Sequence, residues 1–153
     1  RDLHSFPTRR SSDLAMYDLY GVDGWLHMLH TENTDAYECG KPMYNMDKLN
    51  DILEQFVALG VVVGVVTWSA MNGSKEFNRK TRKVKKAWVA EHMPTVTEFH
   101  CVKYGTPKHK VAKIKNSILV DDNEDVRAAW RGETINACED IMEQLQNLLD
   151  RVA

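Results

Sequence analysis

Two short apolar runs place the strongest constraint on the fold of this chain. Residues 61–66 are almost all β-branched, and residues 117–120 form a second apolar run that ends at Asp121 and Asp122. Neither run alternates apolar with polar residues, so each predicts a strand that is covered on both faces, as in a parallel sheet. Strands of this kind are typical of the α/β class.

Helical patterns separate the predicted strands. Apolar residues recur with the 3.6-residue period and are bounded by capping residues, glycine or proline. The predicted helices start at Asn45 or Asp47, at Ser74, at Thr106-Pro107 and at Cys138, and shorter strands are predicted over residues 99–102 and 134–135. This alternation predicts a three-layer α/β/α sandwich of Rossmann-like type with a parallel sheet.

Composition excludes several classes of protein. The chain has 153 residues with a net charge of −2, which suits one domain and argues against a general polyanion binder. Its three cysteines are far apart and predict neither a disulfide framework nor a CxxC metal knuckle. No apolar run approaches the roughly 18 residues that cross a bilayer. We therefore expect a cytoplasmic protein without a membrane partner, and we leave its oligomeric state open.

The first fourteen residues, RDLHSFPTRRSSDL, show neither helical nor strand periodicity. They also lack the apolar region and the cleavage site of a secretory signal peptide. The segment resembles the translation of a widely used sequencing-library adapter. Codon by codon, the DNA of that adapter encodes residues 1–13, and any leucine codon of the CTN type supplies Leu14. The resemblance implies a non-native segment over residues 1–14 and a single domain over residues 15–153 that has lost its true start.

Polar side chains follow both apolar strands, at the strand ends where open parallel sheets bind their ligands. Thr67 or Ser69 offers a hydroxyl that can hold a phosphoryl oxygen, although a hydroxyl in this position can also serve only the local turn. Asp121 and Asp122 would repel each other unless a hard cation such as Mg²⁺ lay between them. The alternative is that Asp122 or Asn123 caps the helical turn that follows.

A lysine is the third candidate. Lys108 falls in the first turn of a predicted helix, where the helix dipole disfavours a cation by roughly 0.3–1 kcal/mol. A lysine there is tolerated when it faces an anion. A solvated surface lysine is the alternative, and Lys110 competes for the same role. The basic residues between Lys75 and Trp88 are interpreted as the solvated face of an amphipathic helix, with nucleic-acid binding through Lys83 and Lys86 as a further alternative.

In this order, Thr67, Lys108 and the pair Asp121 and Asp122 resemble motifs II, III and IV of the haloacid dehalogenase-like (HAD) hydrolase superfamily. The resemblance covers about residues 45–152. The segments DLYGVDGWL, TWS and YGTPK are also similar to a small HAD subgroup from phages and bacteria. Membership would make Thr67 and Lys108 the groups that hold the phosphoryl oxygens, and Asp121 and Asp122 the ligands of Mg²⁺.

The same resemblance implies a first motif, DxDGT, at the end of the first strand. Its first aspartate forms an aspartyl-phosphate, and its second acts as general acid and base. One interpretation makes Asp18 and Tyr20 a degraded copy of this motif. We favour another, in which the first strand and its motif lay upstream of Asp18 and were replaced by the adapter, so that an ungapped alignment puts Ser11 at the nucleophile position. Residues 18–44 would then form a small cap over the site.

These observations predict a Mg²⁺-dependent HAD-like phosphohydrolase for a small phosphorylated metabolite or nucleotide, inactive in this chain because the nucleophile is missing. The alternative is a non-catalytic HAD-like module that binds a phosphate ligand or a protein. Binding of nucleic acid is a third and weaker interpretation.

Overall fold

A computed structural model of the chain describes residues 3–4, 21, 23–24, 26–38, 42, 44–112 and 116–153. The fold is mixed α/β, and its strands are parallel. Asp18, Tyr20 and Ser11, on which the interpretation of the first motif depends, lie outside the described residues.

One sheet of five strands organises these residues, in the order β3-β2-β1-β4-β5. The strands are β1 (Leu3–His4), β2 (Val63–Trp68), β3 (Glu98–Val102), β4 (Ile118–Asp121) and β5 (Thr134–Asn136). The prediction of two buried apolar strands is confirmed, because every residue of β4 and all but the last of β2 are buried. Both strands start and end one or two residues later than predicted, so that they include Thr67, Trp68 and Asp121.

The central strand of the sheet, β1, corrects the expectation that the first strand is missing. No element was predicted within the first fourteen residues, and the first strand was expected to be missing. In the structure, the backbone of Leu3–His4 lies between β2 and β4, with Leu3 in register with Val63 on one side and Ile118 on the other. The physical reason is that β2 and β4 do not pair with each other, so two extended residues between them bond both neighbouring backbones.

Helices connect the strands, and polar side chains cap most of them. In chain order they are α1 (Asp35–Glu38), α2 (Met46–Ala58), α3 (Lys75–His92), α4 (Lys108–Val111), α5 (Glu124–Ala129) and α6 (Ile141–Val152). Asn45 caps α2 by accepting from the Lys48 N–H, and Ser74 caps α3 in the same way. Gly60 ends the turn after α2 with a φ of 83°, a conformation that glycine adopts without a Cβ clash.

Two helix starts differ from the prediction. The closing helix begins at Ile141 rather than Cys138, because the Asp140 carboxylate accepts the first free N–H groups and ends the preceding turn. The helix predicted from Thr106-Pro107 starts at Lys108 instead, with Pro107 as its cap, no capping side chain and a length of a single turn.

The main core lies where α2, α3 and α6 cover the sheet. Its buried side chains include Leu53, Phe56, Val65, Val89, Val120, Leu145 and Leu149. A smaller apolar cluster of Ala36, Tyr37, Ala70 and Phe77 joins α1 to the start of α3. The expected small cap over residues 18–44 is only partly described, and the described part of it contacts α3. Among the described residues, no helix is long and apolar enough to cross a membrane.

A second contact fixes the segment before α1 to α3. The Glu32 carboxylate accepts hydrogen bonds from the Ser74 hydroxyl at 2.6 Å and from the Ser74 N–H at 3.0 Å. Glu32 has a φ of 53°, unusual for a residue other than glycine. The hydrogen bond from the Ser74 side chain, followed by the one from its backbone, lowers the pKa of the Glu32 carboxyl.

We expect this contact to weaken in acid. Because the folded-state pKa of Glu32 is lowered, its stabilising effect is present above the ordinary glutamate pKa and is lost as the pH falls through the lowered value. Following the Ser74 amide by NMR during an acid titration should show a midpoint below the ordinary glutamate value. The variant Glu32→Gln should abolish that titration. A midpoint at or above the ordinary value would contradict the contact.

Candidate functional site

The predicted site residues lie at the carboxyl ends of β2 and β4. Thr67 is the penultimate residue of β2, and Asp121 is the last residue of β4. Both strands pair in parallel with β1, so their carboxyl ends meet at one edge of the sheet. Lys108 begins α4, which follows β3 along the chain.

Lys108 and Asp121 form an ion pair at this edge. The Lys108 Nζ lies 2.6 Å from Asp121 Oδ2, and the two side chains are only 12% and 2% exposed. The other carboxylate oxygen, Oδ1, accepts the Asn123 N–H at 2.9 Å. Arg127 donates to the Asp121 backbone carbonyl, also at 2.9 Å. Asp121 is therefore held in one orientation, with a cation directly beside its carboxylate.

The second aspartate has a different environment. Asp122 is exposed, and the next residue, Asn123, caps α5 by accepting the Val126 N–H. Of the two capping residues considered from the sequence, the structure uses Asn123. Asp122 is therefore not needed as the cap of α5.

Trp68 links β2 to Lys108, and nothing in the sequence pattern indicates this role. Its indole N–H donates to the Thr106 carbonyl at 2.8 Å, and the Lys108 Nζ lies 5.1 Å from the centroid of its ring. A cation over an indole face is attracted by the ring quadrupole. Trp68 thus positions the loop before α4 and the lysine that follows it.

Thr67 contacts a lysine of α3, Lys85, which the sequence did not indicate as a site residue. The Lys85 Nζ donates to Thr67 Oγ1 at 3.2 Å and to the Trp68 carbonyl at 2.7 Å. It also lies 4.5 Å from the centroid of the Tyr37 ring. Among the described residues no hydrogen bond joins Thr67 to Lys108, and Trp68 lies between them in the contact network.

The assignment of all basic residues of α3 to a solvated face is wrong for Lys85, which is 4% exposed. The spacing of residues in the sequence indicates the inward position of Lys85. Phe77, Thr81, Lys85 and Trp88 follow one another at intervals of four, four and three residues, the spacing of a single helix face. Lys83 and Lys86 are exposed, as expected.

Two further buried hydroxyl groups belong to Ser69, directly after β2, and to Thr81, on α3. Ser69 follows β2, is 5% exposed and donates its backbone N–H to the Val102 carbonyl at 2.7 Å. Within the described part of the chain, its hydroxyl has no hydrogen-bond partner. The same is true of the Thr81 hydroxyl on α3. Ser69 was an alternative to Thr67 in the sequence analysis, and the structure brings both to the end of β2.

The residues at the end of β4 carry the type of oxygen donor that a magnesium ion would need. Mg²⁺ prefers hard oxygen ligands and is commonly held by one or two carboxylates together with water and substrate oxygens. Asp121 and Asp122 supply two carboxylates from neighbouring positions in the sequence, and a carboxylate oxygen that accepts one hydrogen bond keeps a second lone pair. Across the residues that the structure describes, no group of three or more histidine, cysteine or acidic side chains gathers as a metal site.

Cys101 lies on β3, in register with Thr67 on β2. Burial raises the pKa of the Cys101 thiol, although the positive charges of Lys85 and Arg82 act in the opposite direction. The thiol therefore stays protonated at neutral pH and is a poor nucleophile.

We expect Cys101 to react slowly with a thiol reagent. The third cysteine of the chain, Cys39, is first replaced by serine so that only two thiols react. At about pH 8, the exposed Cys138 should then react with a disulfide reagent about tenfold or more faster than Cys101. The variant Cys138→Ser should remove the fast phase, and Cys101→Ser should remove the slow one. Equal rates for the two thiols would contradict the partial burial of Cys101.

Taken together, the edge of the sheet presents two lysine ammonium groups, two hydroxyls and one buried carboxylate, supplied by Lys85, Lys108, Thr67, Ser69 and Asp121. Ammonium and hydroxyl donors of this kind can bind the oxygens of an anionic ligand. No protein-family model, curated protein or solved structure matches the chain.

Proposed function

We propose that this chain is a HAD-like domain with a three-layer α/β/α fold, which holds a phosphate monoester at the carboxyl edge of its parallel sheet. The intact activity is Mg²⁺-dependent hydrolysis of a small phosphorylated metabolite or nucleotide in the cytoplasm. Thr67 and Lys108 bind the phosphoryl oxygens, and Asp121 with Asp122 holds the metal ion.

The observation that carries this proposal is the pair of Lys108 and Asp121. The sequence indicates each residue for a separate reason, Lys108 at a helix start and Asp121 at a strand end. They lie thirteen positions apart in the sequence and 2.6 Å apart in space. A buried carboxylate paired with a lysine at a strand end supports a functional site there, with the lysine available for an anion and the carboxylate for a cation.

Each residue has a defined task in this proposal. Asp121 orients the Lys108 ammonium, and the face of the Trp68 ring attracts the same ammonium from 5.1 Å. When bound, Mg²⁺ would neutralise negative charge on the phosphoryl group. Phosphoryl transfer depends mainly on such positioning and charge neutralisation, so these residues would bind substrate even where the chemical step fails.

The chemical step lacks its nucleophile in this chain. The sequence contains no pair of aspartates separated by one residue, which the first motif requires. The residues that follow β1 are Ser5, Phe6 and Pro7. We therefore expect binding of phosphate compounds without turnover.

Restoring the first motif tests the enzymatic proposal. An apolar strand followed by DxDGT, put in place of residues 1–17, should give hydrolysis of p-nitrophenyl phosphate that depends on Mg²⁺. The matched control carries asparagine in place of the first inserted aspartate and should be inactive, because it cannot form the aspartyl-phosphate. A folded, restored protein without turnover would exclude the enzymatic proposal.

A second candidate function, a non-catalytic module that binds a phosphate ligand, is favoured by the missing aspartate pair. It predicts that the chain as given binds inorganic phosphate and that the restored version gains no activity. Calorimetric titration of both proteins with phosphate, combined with the hydrolysis assay, separates the two functions.

A further inference from the structure

We propose that Lys85 is a positioning residue: it holds the Thr67 hydroxyl as a hydrogen-bond donor to a phosphoryl oxygen, with the Ser69 hydroxyl as a second donor. This inference rests on the proposed function and adds to it a second lysine and a second hydroxyl.

The first step concerns the direction of the bond between Lys85 and Thr67. A lysine ammonium has three N–H donors and no acceptor. In the contact of 3.2 Å the Thr67 oxygen must therefore accept, and the hydrogen of its own hydroxyl must point elsewhere. The bond from Lys85 to the Trp68 carbonyl, at 2.7 Å, fixes the ammonium in place.

The second step concerns that hydroxyl hydrogen. Thr67 is 4% exposed, so water has little access to its side chain. Among the described residues the Thr67 hydroxyl accepts from Lys85 and donates to no group. A buried donor without an acceptor is costly, so the Thr67 hydroxyl is suited to a ligand whose oxygens only accept.

The third step adds an independent observation. The Ser69 hydroxyl is also buried and has no hydrogen-bond partner within the described residues. It stands two positions after Thr67, at the same end of β2, and its backbone is fixed by the bond to Val102. Two unsatisfied hydroxyl donors at one strand end match a phosphoryl group, which presents several acceptor oxygens.

The test measures the binding of inorganic phosphate by calorimetric titration of the full chain. Lys85→Met should weaken phosphate binding about tenfold, as expected when one hydrogen bond is lost. Lys85→Arg keeps the charge and the donors and should restore most of the affinity. Lys86→Met, an exposed neighbour on α3, removes the same charge without touching Thr67 and should bind as the wild type does.

Coupling between the two residues distinguishes positioning from a general effect of charge. Thr67→Val should weaken binding as much as Lys85→Met does, and the double variant should be no weaker than either single variant. Thr67→Ser, which keeps the hydroxyl, should bind nearly as well as the wild type. Additive losses would contradict the proposal.

The outcomes separate this inference from the proposed function. A wild-type chain that does not bind phosphate overturns both. The role of Lys85 alone is overturned if the wild-type chain binds phosphate and Lys85→Met binds it equally well. It is also overturned if Lys86→Met loses as much phosphate affinity as Lys85→Met. If circular dichroism shows that Lys85→Met does not fold, the phosphate affinities of Thr67→Val and Thr67→Ser test the inference instead. Equal affinities of these two variants overturn it.

Discussion

Lys108→Met is expected to lower the free energy of unfolding by about 3 kcal/mol, near the lower end of the range for breaking a buried ion pair. The substitution leaves the Asp121 carboxylate, which is 2% exposed, without its cation at 2.6 Å. The carboxylate keeps its bond from the Asn123 N–H, which limits the loss. Urea denaturation of the wild type and the variant measures the difference.

Two further variants make this prediction specific. Lys110 lies in the same helical turn as Lys108, and its side chain is exposed. Lys110→Met should therefore change the free energy of unfolding by no more than about 0.5 kcal/mol. Adding Asp121→Asn to Lys108→Met removes the buried negative charge and should recover part of the stability. The ion pair would be contradicted if Lys108→Met were as stable as the wild type, or if Lys110→Met lost as much.

Phe56→Ala should destabilise the fold by about 3–5 kcal/mol, the usual cost of removing a large aromatic side chain from a core. Phe56 lies on α2, is 2% exposed and belongs to the main core of the sheet and its covering helices. Surrounding side chains from several elements cannot close the resulting cavity without moving together. Thermal or urea unfolding gives the magnitude.

Val57→Ala is the matched control on the same helix. Val57 is 44% exposed, and its substitution should change stability by no more than about 0.5 kcal/mol. A similar loss for both variants would mean that α2 presents a different face to the sheet from the one described.

Much of the fold could be predicted because the relevant patterns are local. A β-branched run without polar alternation indicates a strand buried on both faces wherever it occurs, and β2 and β4 satisfied this expectation. Asn45 and Ser74 precede amphipathic segments, and each caps its helix as a short polar side chain does. The three-layer arrangement and the HAD resemblance go beyond these patterns and stay predictions.

The strand at Leu3–His4 could not be predicted in this way. Two residues carry no period, and nothing local to them indicates pairing. Their position follows from the gap between β2 and β4, which only the assembled sheet creates.

The sequence by itself determined the site candidates, because polar residues directly after apolar strands must lie at the carboxyl edge of a parallel sheet. Thr67 and Asp121 lie there, and Lys108 joins Asp121. Only the tertiary structure decided that Lys85, not Lys108, bonds Thr67. That partnership depends on how α3 crosses the sheet and on which of its basic side chains turns inward, and neither is set by residues adjacent in the chain.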